Sequence, residues 1–348
     1  MSQYSQLANP PISKLDLTVT EEFRTHEITL PQALEGLRLD QALARALPAY
    51  SRARLRSWID MGAVRVEGRI PRARDKVLGG EHVRIEARLP TESTVSPEKL
   101  PVDVVFADDA IFVINKPAGV VVHPGAGNRA HTLQNALLAL DPGLAQVPRA
   151  GLVHRLDRDT SGLLVVARTL EAHTRLVAAL AARQIERRYQ AICVGVMTGG
   201  RTVDEPIGRH RTLRTRMAVR SDGRPAVTHL RVVRRFRAHT LVEATLETGR
   251  THQIRVHLAH IGYPIVGDPV YGGRRRIPPA SGPALLAALD SFKRQALHAL
   301  RLKLAHPESG ELMEWEAPLP RDMCQLIAAL DEDLRRAGGT RMRSRRRP

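Results

Sequence analysis

The segment from residue 154 to residue 162 most constrains how this chain can fold, because it is dense in charge yet lies between apolar segments. It reads HRLDRDTSG, with GLV before it and LLVVAR after it. Both neighbours are predicted to be buried strands, so the charged residues must form an exposed turn or line a cleft. An aspartate among guanidinium groups stays ionised, which suits a nucleophile or a charge stabiliser. Asp157 is therefore a candidate functional residue, whereas Asp159 is expected to cap the turn.

Two other kinds of site are not favoured by the sequence. A Ser-His-Asp hydrolase would need a G-x-S-x-G elbow, and none accompanies the segment. The histidines of LETGRTHQIRVHLAHIGYPIVGDPVYG have spacings of five and three, which could suit a metal. Carboxylates are few near them, and there is neither an H-E-x-x-H motif nor a pair of cysteine motifs. We therefore expect no metal site.

Arg255 and Tyr189 are further candidates. Arg255 lies at the centre of an apolar helical pattern, and an inward-facing arginine requires a carboxylate partner or a substrate anion. Tyr189 opens a predicted strand in a chain where only 3% of the residues are aromatic. A protein that handles an unstacked base needs a flat side chain to hold it. A tyrosine in the core or at its rim is the other interpretation of Tyr189, and Cys193 on the same strand is expected to be a small core residue.

The pattern of predicted elements divides the chain into five segments. They are an N-terminal tail (1–26), a small domain (27–89), a proline-rich linker (90–101), a larger domain (102–334) and an arginine-rich tail (335–348) that we expect to be disordered. The larger domain has many short strands, few helices and no regular β-α-β alternation. It is therefore predicted to be α+β with a mainly antiparallel sheet.

The charge of the chain is concentrated in two of these segments. The formal net charge is +17, and residues 36–88 contain twelve basic against six acidic groups, while the final fourteen residues contain seven arginines and no acid. Such an excess is typical of proteins that bind a polyanion, although a solvated surface and a solubility tail are the plainer interpretations. A basic loop at residues 274–283, with Arg274, Arg275 and Arg276, is also expected to contact the polyanion.

The small domain resembles an S4-type RNA-binding domain, a fold of two helices packed on a few strands. The matching stretches are LRLDQALARALP, SRARLRSWIDMGAVRVEG and KVLGGEHVRI. The resemblance implies binding of folded RNA through its shape and its phosphates. The candidate RNA contacts are Arg38, Arg52, Arg54 and Arg56.

The larger domain resembles the RluA family of pseudouridine synthases from about residue 100 to residue 330. The stretches that carry the resemblance are HRLDRDTSGLLVVA, RRYQAICVG, DEPIGRH, LETGRTHQIRVHLAHIGYPIVGDPVYGG and FKRQALHALRLKLAHP. The resemblance implies a central bent, mainly antiparallel sheet flanked by helices, with a cleft across its middle. An S4-like domain before the catalytic domain is also the arrangement of one subfamily, whose members act on large-subunit ribosomal RNA.

The resemblance also implies roles for single residues. Asp157 would be the catalytic aspartate, Arg255 its ion-pair partner, and Tyr189 the side chain that stacks on the target uracil and assists proton removal. Arg155 would help to occupy the space left by the flipped nucleotide. The substrate pocket would be completed by Ile254 and His154.

The implied reaction is the isomerisation of specific uridines to pseudouridine, on a flipped-out nucleotide of large-subunit (23S) ribosomal RNA or of a pre-50S particle. No cofactor and no metal are expected, and the protein is expected to be a monomer. The longest apolar runs are far shorter than a membrane span, the N-terminus lacks the pattern of a signal peptide, and only two cysteines occur, which predicts a cytoplasmic protein without membrane association. The alternatives are a non-catalytic RNA-binding assembly factor and the same chemistry on a different RNA.

Overall fold

The computed structural model of the chain describes residues 23–47, 50, 52–88, 95–125, 128–213, 215–273 and 276–344. The chain divides into two units, with the boundary between Thr94 and Val95. Each unit has a hydrophobic core of its own.

The N-terminal unit is a three-stranded antiparallel sheet with two helices. Its strands follow the order β1-β3-β2. The apolar side of the first helix and that of the second bury Leu39, Leu43, Leu55 and Trp58 in one core, each at most 1% exposed. The elements are β1 (Phe23–Thr29), α1 (Leu39–Ala46), α2 (Arg52–Asp60), β2 (Val64–Val66) and β3 (His82–Arg88).

The C-terminal unit is built on one nine-stranded sheet. The strand order is β4-β5-β6-β13-β7-β12-β11-β8, and β14 pairs with β13. The pairings are antiparallel except that of β13 with β6. The strands are β4 (Val104–Ala107), β5 (Ile111–Lys116), β6 (Ser161–Ala167), β7 (Glu186–Val194), β8 (Arg201–Asp204), β11 (Val227–Arg235), β12 (His239–Leu246), β13 (Leu297–Ala305) and β14 (Leu312–Glu316). The predicted α+β class and the mainly antiparallel sheet are confirmed.

A two-stranded ribbon and five helices complete this unit. The ribbon pairs β9 with β10. The elements are β9 (Ile207–Arg209), β10 (Met217–Val219), α3 (Leu133–Leu140), α4 (Leu170–Ala181), α5 (Gln253–His260), α6 (Pro283–Ser291) and α7 (Arg321–Ser344). Thr132 is the N-cap of α3 and forms a capping box with Asn135. Cys193 is fully buried in β7, and burial raises the pKa of its thiol.

The parallel junction between β6 and β13 has a strict steric requirement. The two strands pair only through His298 with Ser161 and Ala299 with Gly162. Gly162 has a φ of 111°, and a Cβ atom at this position would lie 2.2 Å from the carbonyl oxygen of Ala299. Only glycine fits there. The charged turn that precedes β6 is thereby held beside the middle strands of the sheet.

The predicted strand GLV is absent from the described residues, and a second apolar stretch rich in β-favouring residues, GVVVHP, forms no strand there either. The 3-10 turn Pro148–Gly151 includes the first residue of GLV, and Leu152 makes a single bridge to Val166. In GVVVHP, Val121 makes a single bridge to Thr132. Their apolar side chains still pack into the core, but β-favouring residues form a strand only where a neighbouring strand is available to pair with them.

The predicted segment boundaries also need correction. β1 begins at Phe23, inside the predicted tail 1–26, because it pairs with β3 over its whole length. The linker predicted at 90–101 extends too far, since Asn135 Nδ2 donates to the carbonyl oxygen of Ser96 at 2.8 Å and Val95 packs on the main core. Residues 1–22 and 89–94 lie outside the described residues.

The arginine-rich tail predicted to be disordered continues α7 as far as Ser344. Met323, Leu326 and Leu330 anchor the start of this helix in the core, and adding a turn to an existing helix costs far less than starting one. Residues 345–348 lie outside the described part of the chain. Among the described helices, none combines the length and the hydropathy that a membrane span requires.

Candidate active site

A cleft of about 800 Å³ in the C-terminal unit brings the predicted catalytic residues together. Its walls come from the turn before β6, from β7 and from the residues that lead into α5. The lining includes all six of the predicted catalytic and substrate-binding residues, Asp157, Tyr189, Arg255, Arg155, Ile254 and His154. Segments separated by up to about a hundred residues in sequence therefore converge on one place.

The centre of the cleft is an ion-pair network around Arg255, which is only 4% exposed. Its Nη1 atom donates to Oδ2 of Asp157 at 2.9 Å. On its other side, Nε and Nη2 donate to the two carboxylate oxygens of Asp268 at 2.7 and 2.9 Å. Burial alone would lower the pKa of Arg255, but its hydrogen bonds and charge interactions with Asp268 and Asp157 raise it. The inward-facing arginine predicted from the sequence thus has two carboxylate partners.

Asp268 is a site residue that the sequence analysis missed. Its carboxylate is fully buried and also accepts the backbone N–H groups of Val270 and Tyr271. Burial would raise the pKa of Asp268, but the hydrogen bonds and charge of Arg255 lower it below its usual value. Two features of the sequence could have indicated Asp268. Arg255 requires a carboxylate partner, and an Asp-Pro turn follows α5.

Lys116, in the stretch KPAG, is a second site residue that the sequence did not indicate. Its side chain is fully buried, and its Nζ donates to the carbonyl oxygens of Pro117, Val120 and Arg158 at 2.8–2.9 Å. Burial lowers the pKa of Lys116 to about 7, against the opposing charges of Asp159 and Asp157. The ammonium group ties the Asp157 turn to the end of β5.

The second oxygen of Asp157 lies close to His252. The distance from Oδ1 to Nε2 of His252 is 3.9 Å, and the Asp157 side chain is 16% exposed. His252 has a left-handed backbone with φ 57° at the start of α5, and its Nδ1 is 2.9 Å from the hydroxyl of Tyr271. That hydroxyl accepts the N–H of Met217, so its own proton is available to Nδ1. Burial lowers the pKa of His252 although Asp157 raises it, which favours a neutral imidazole.

Tyr189 belongs both to the hydrophobic core and to the lining of the cleft. Its side chain is 5% exposed, and Ile254 and Leu297 share its core cluster. Burial raises the pKa of the Tyr189 phenol, an effect that Asp157 reinforces and Arg187 opposes. The phenol is therefore neutral, and its ring offers an apolar surface at the edge of the cleft.

His154 is held in a structural role that its prediction as a substrate-binding residue did not include. Its Nε2 accepts the backbone N–H of Val165 in β6 at 3.1 Å. Burial, and next the charge of Arg187, lower the pKa of His154 to about 3. A neutral imidazole that accepts a backbone hydrogen bond anchors the turn, while Arg155 next to it is exposed in the cleft. Asp159 pairs with Arg158 through both oxygens instead of capping the turn.

The arginines predicted to bind RNA in the N-terminal unit have protein partners. Arg38 and Arg52 donate to Asp40, which is 1% exposed, at 3.0 and 2.7 Å. Burial would raise the pKa of Asp40, and the two arginines lower it. Arg56 lies 3.6 Å from Asp60 on the helix surface. The side chain of Arg54, like Arg274 and Arg275 in the basic loop, lies outside the described residues, so RNA binding by these groups stays a prediction.

Metal-ligating side chains do not gather in the described parts of the chain, where no three histidine, cysteine or carboxylate groups form a possible site. His252 and His257, which belong to the histidine-rich segment, instead make hydrogen bonds to Tyr271 and Thr228.

Comparisons with known proteins agree with this geometry. The family model described as RNA pseudouridylate synthase matches residues 110–260, and that of the S4 domain matches residues 37–83. The ribosomal large subunit pseudouridine synthase D of Escherichia coli strain K12 is 55% identical over 299 residues, 86% of this chain and 92% of that protein. The proteins of the same name from Pasteurella multocida and Xanthomonas campestris are 54% and 53% identical, each covering 94% of the relative.

A solved structure leads to the same family. The human RNA pseudouridylate synthase domain containing 4 is 28% identical, with a TM-score of 0.52, and the match covers 66% of this chain and 93% of that one. This chain and the bacterial relatives are more than 50% identical over nearly the whole length of those relatives. The chain therefore belongs to the RNA pseudouridine synthase family, with an S4 domain before its catalytic domain.

Proposed function

We propose that this protein converts specific uridines of large-subunit ribosomal RNA to pseudouridine, with Asp157 as the catalytic aspartate. The observation that carries the proposal is the convergence of Asp157, Tyr189 and Arg255 in one cleft. Relatives more than 50% identical bear the name ribosomal large subunit pseudouridine synthase, which supports this choice of RNA.

The reaction is an isomerisation and needs no redox partner. The bond from N1 of uracil to C1′ of ribose breaks, the base turns, and a bond forms from C5 to C1′. The proton on C5 is then lost and N1 gains one, so the composition of the RNA does not change. The glycosidic bond of a stacked uridine is hidden, and flipping the nucleotide into a cleft costs a few kcal/mol, which contacts to the phosphates can supply.

We propose a part in this chemistry for each residue. Arg255 orients the Asp157 carboxylate through Oδ2, which leaves Oδ1 for the reacting nucleotide. Tyr189 supplies an apolar ring for the uracil to stack on, and Ile254 adds to the same wall. Arg155 is exposed where it can fill the space that the flipped nucleotide leaves. The role of the S4 domain is to hold folded RNA.

The setting of the reaction is part of the same proposal. We expect the protein to act in the cytoplasm, as a monomer, on assembled large subunits or on pre-50S particles. Size-exclusion chromatography with light scattering checks the oligomeric state, and the modification of purified subunits compared with naked RNA checks the substrate form.

The test is a deletion strain complemented with either the wild-type protein or Asp157→Asn. Pseudouridines in its ribosomal RNA are mapped by chemical derivatisation and sequencing. Wild-type protein should restore the uridines whose modification the deletion loses, and the variant should restore none of them while still binding RNA. Asp222→Asn, which changes an exposed aspartate outside the cleft, is the matched control and should behave like wild type.

Full activity of Asp157→Asn would contradict the assignment of the catalytic residue. If wild-type protein formed no pseudouridine in any ribosomal RNA, yet supported ribosome assembly, the protein would be an RNA-binding assembly factor. Modification of a different RNA by the wild-type protein would correct the substrate and keep the chemistry.

A further inference from the structure

A second arginine, Arg187, faces the cleft from the same strand as Tyr189. Side chains alternate along β7, so Arg187 and Tyr189 lie on one face of the strand and Arg188 on the other. Arg187 is 7% exposed and lines the cleft together with Asp157. Its position is therefore next to the proposed stacking ring and away from bulk solvent.

Arg187 has no counter-charge among the described residues. Its Nε atom is buried without a hydrogen-bond partner, and no described carboxylate forms an ion pair with it. The nearby carboxylates have other partners, since Glu247 pairs with Arg183 and Asp157 pairs with Arg255. A buried guanidinium stays charged, so its burial without an anion is costly.

The shape of the site leaves room around this guanidinium. Gly249 lies in the turn before α5 and lines the cleft. A Cβ atom at Gly249 would lie 2.9 Å from Nη1 of Arg187, so a larger residue would displace the group. Because Gly249 has no side chain, the guanidinium of Arg187 can occupy this position.

We propose that Arg187 binds one backbone phosphate of the RNA, at or next to the flipped uridine, and that this phosphate supplies the missing counter-charge. The inference rests on the proposed function, because it assumes that an RNA strand enters this cleft. A uracil carbonyl is neutral and cannot balance the charge, whereas a phosphate accepts charge-assisted hydrogen bonds from a guanidinium. Residues two apart on a strand are about 7 Å apart, so one nucleotide can reach both Tyr189 and Arg187.

The proposal predicts opposite changes in stability and in RNA binding. Arg187→Met removes an unpaired buried charge and keeps a long apolar side chain. The free protein should therefore unfold at the same temperature or a higher one, while its affinity for a stem-loop RNA substrate falls roughly tenfold or more. If Arg187 had a purely structural role, Arg187→Met would lower the unfolding temperature and leave RNA binding unchanged.

The phosphate is identified with RNAs that contain one uncharged methylphosphonate at a time around the target uridine. A methylphosphonate at one position should weaken RNA binding and slow single-turnover modification by the wild-type protein. The same substitution should have little further effect on Arg187→Met. The salt dependence of binding should also fall by about 0.7 in the slope of log K against log salt. Arg188→Gln is the matched control, because Arg188 is half-exposed and paired with Glu186.

Binding and methylphosphonate profiles of Arg187→Met equal to those of wild type would overturn the proposal. If Arg187→Met failed to fold, Gly249→Ala would take its place, since it displaces the guanidinium but keeps the charge. RNA binding by Gly249→Ala should no longer be weakened by a methylphosphonate at that position. If Gly249→Ala responded to each methylphosphonate as wild type does, the proposed phosphate site would be equally contradicted. Wild-type protein inactive on every RNA would instead refute the proposed function, which separates the two failures.

Discussion

At the scale of single residues, Arg255 shares its charge unequally between two aspartates. Asp268 receives two hydrogen bonds from Arg255 and is fully buried, whereas Asp157 receives one from it and remains partly exposed to the cleft. The bidentate pair is the more rigid one, so Asp268 fixes the guanidinium and the guanidinium in turn positions Asp157. Asp268 is therefore a positioning residue for the proposed reaction.

We expect Asp268→Asn to lower the free energy of unfolding by about 3 kcal/mol, because removal of one partner leaves a buried charge partly uncompensated. Pseudouridine formation should fall through the rate of the chemical step more than through RNA affinity. Urea denaturation and single-turnover kinetics measure the two effects. Unchanged stability and rate would show that Asp157 alone is a sufficient partner for Arg255.

The part-buried imidazole of His154 predicts a loss of stability in mild acid. Its pKa is about 3 in the folded protein and about 6.5 when unfolded, so between these values the unfolded chain binds a proton that the folded chain does not. Stability should thus be retained above pH 6.5 and fall as the pH drops toward 3, by up to about 1.4 kcal/mol per pH unit from this group.

The comparison is urea unfolding of wild type and His154→Gln from pH 7 to pH 4. Glutamine can accept the N–H of Val165 but does not titrate, so the pH dependence should become shallower. Some slope should remain, because burial also lowers the pKa of His239 to about 4. His260→Gln, at an exposed position, serves as the control, and equal slopes for wild type and His154→Gln would contradict the prediction.

The sequence indicated the candidate residues that meet in the cleft but not the residues that support them. Asp157, Tyr189 and Arg255 occur in long and distinctive stretches, and the placement of Arg255 in an apolar pattern already required a partner. Asp268 and Lys116 give no such signal, because each acts through contacts that exist only after folding. The ammonium of Lys116, for example, reaches a carbonyl oxygen 42 residues away.

At the scale of elements, the junction of β6 and β13 positions the charged turn that carries Asp157. The backbone of Gly162 approaches Ala299 too closely for any side chain, and Asp157 lies five residues before it. Ser161 adds a hydrogen bond at 2.9 Å to His298 across the same junction. A shift of these two strands would move the turn relative to Arg255.

Gly162→Ala should therefore lower both stability and activity. A methyl group 2.2 Å from a backbone oxygen and a φ of 111° should together cost roughly 3 kcal/mol or more. Gly310→Ala is the matched control, because Gly310 also has a positive φ of 74° but no atom within 4 Å of the added methyl group. Thermal unfolding of both variants gives the comparison, and equal losses would mean that the close approach to Ala299 is unimportant.

Element prediction succeeded where periodicity was sustained and failed where pairing decided the outcome. The helical pattern around Arg255 and the strand at Tyr189 correspond to α5 and β7. GLV and GVVVHP have the residues of strands but meet no continuous partner, and only the tertiary fold determines that. The order of the sheet strands was likewise beyond prediction, because β13 follows β12 by fifty residues and yet pairs with β6 and β7.

At the scale of the whole molecule, the two units have separate cores, and the basic excess of residues 36–88 belongs to the first. Removal of residues 1–94 should leave a folded catalytic unit that still isomerises uridine. Its affinity for RNA should fall, and so should the salt dependence of binding, because fewer phosphates are contacted. Circular dichroism and binding titrations at several salt concentrations test this. An unfolded product would contradict the independence of the two units. Unchanged affinity for RNA would contradict the role of the S4 domain.

The position of β13 also has a consequence for the order in which the protein forms during synthesis. This strand lies at the middle of the nine-stranded sheet, but it is the eighth of its nine strands to be synthesised. Until residue 305 has left the ribosome, β6 and β7 each present an unpaired edge, and the charged turn that carries Asp157 has no β13 beside it. Contacts between distant parts of a chain form slowly, and exposed edges favour aggregation. The sheet of the catalytic domain therefore stays incomplete during most of its synthesis. A chain truncated before Leu297 should remain accessible to chaperones and proteases.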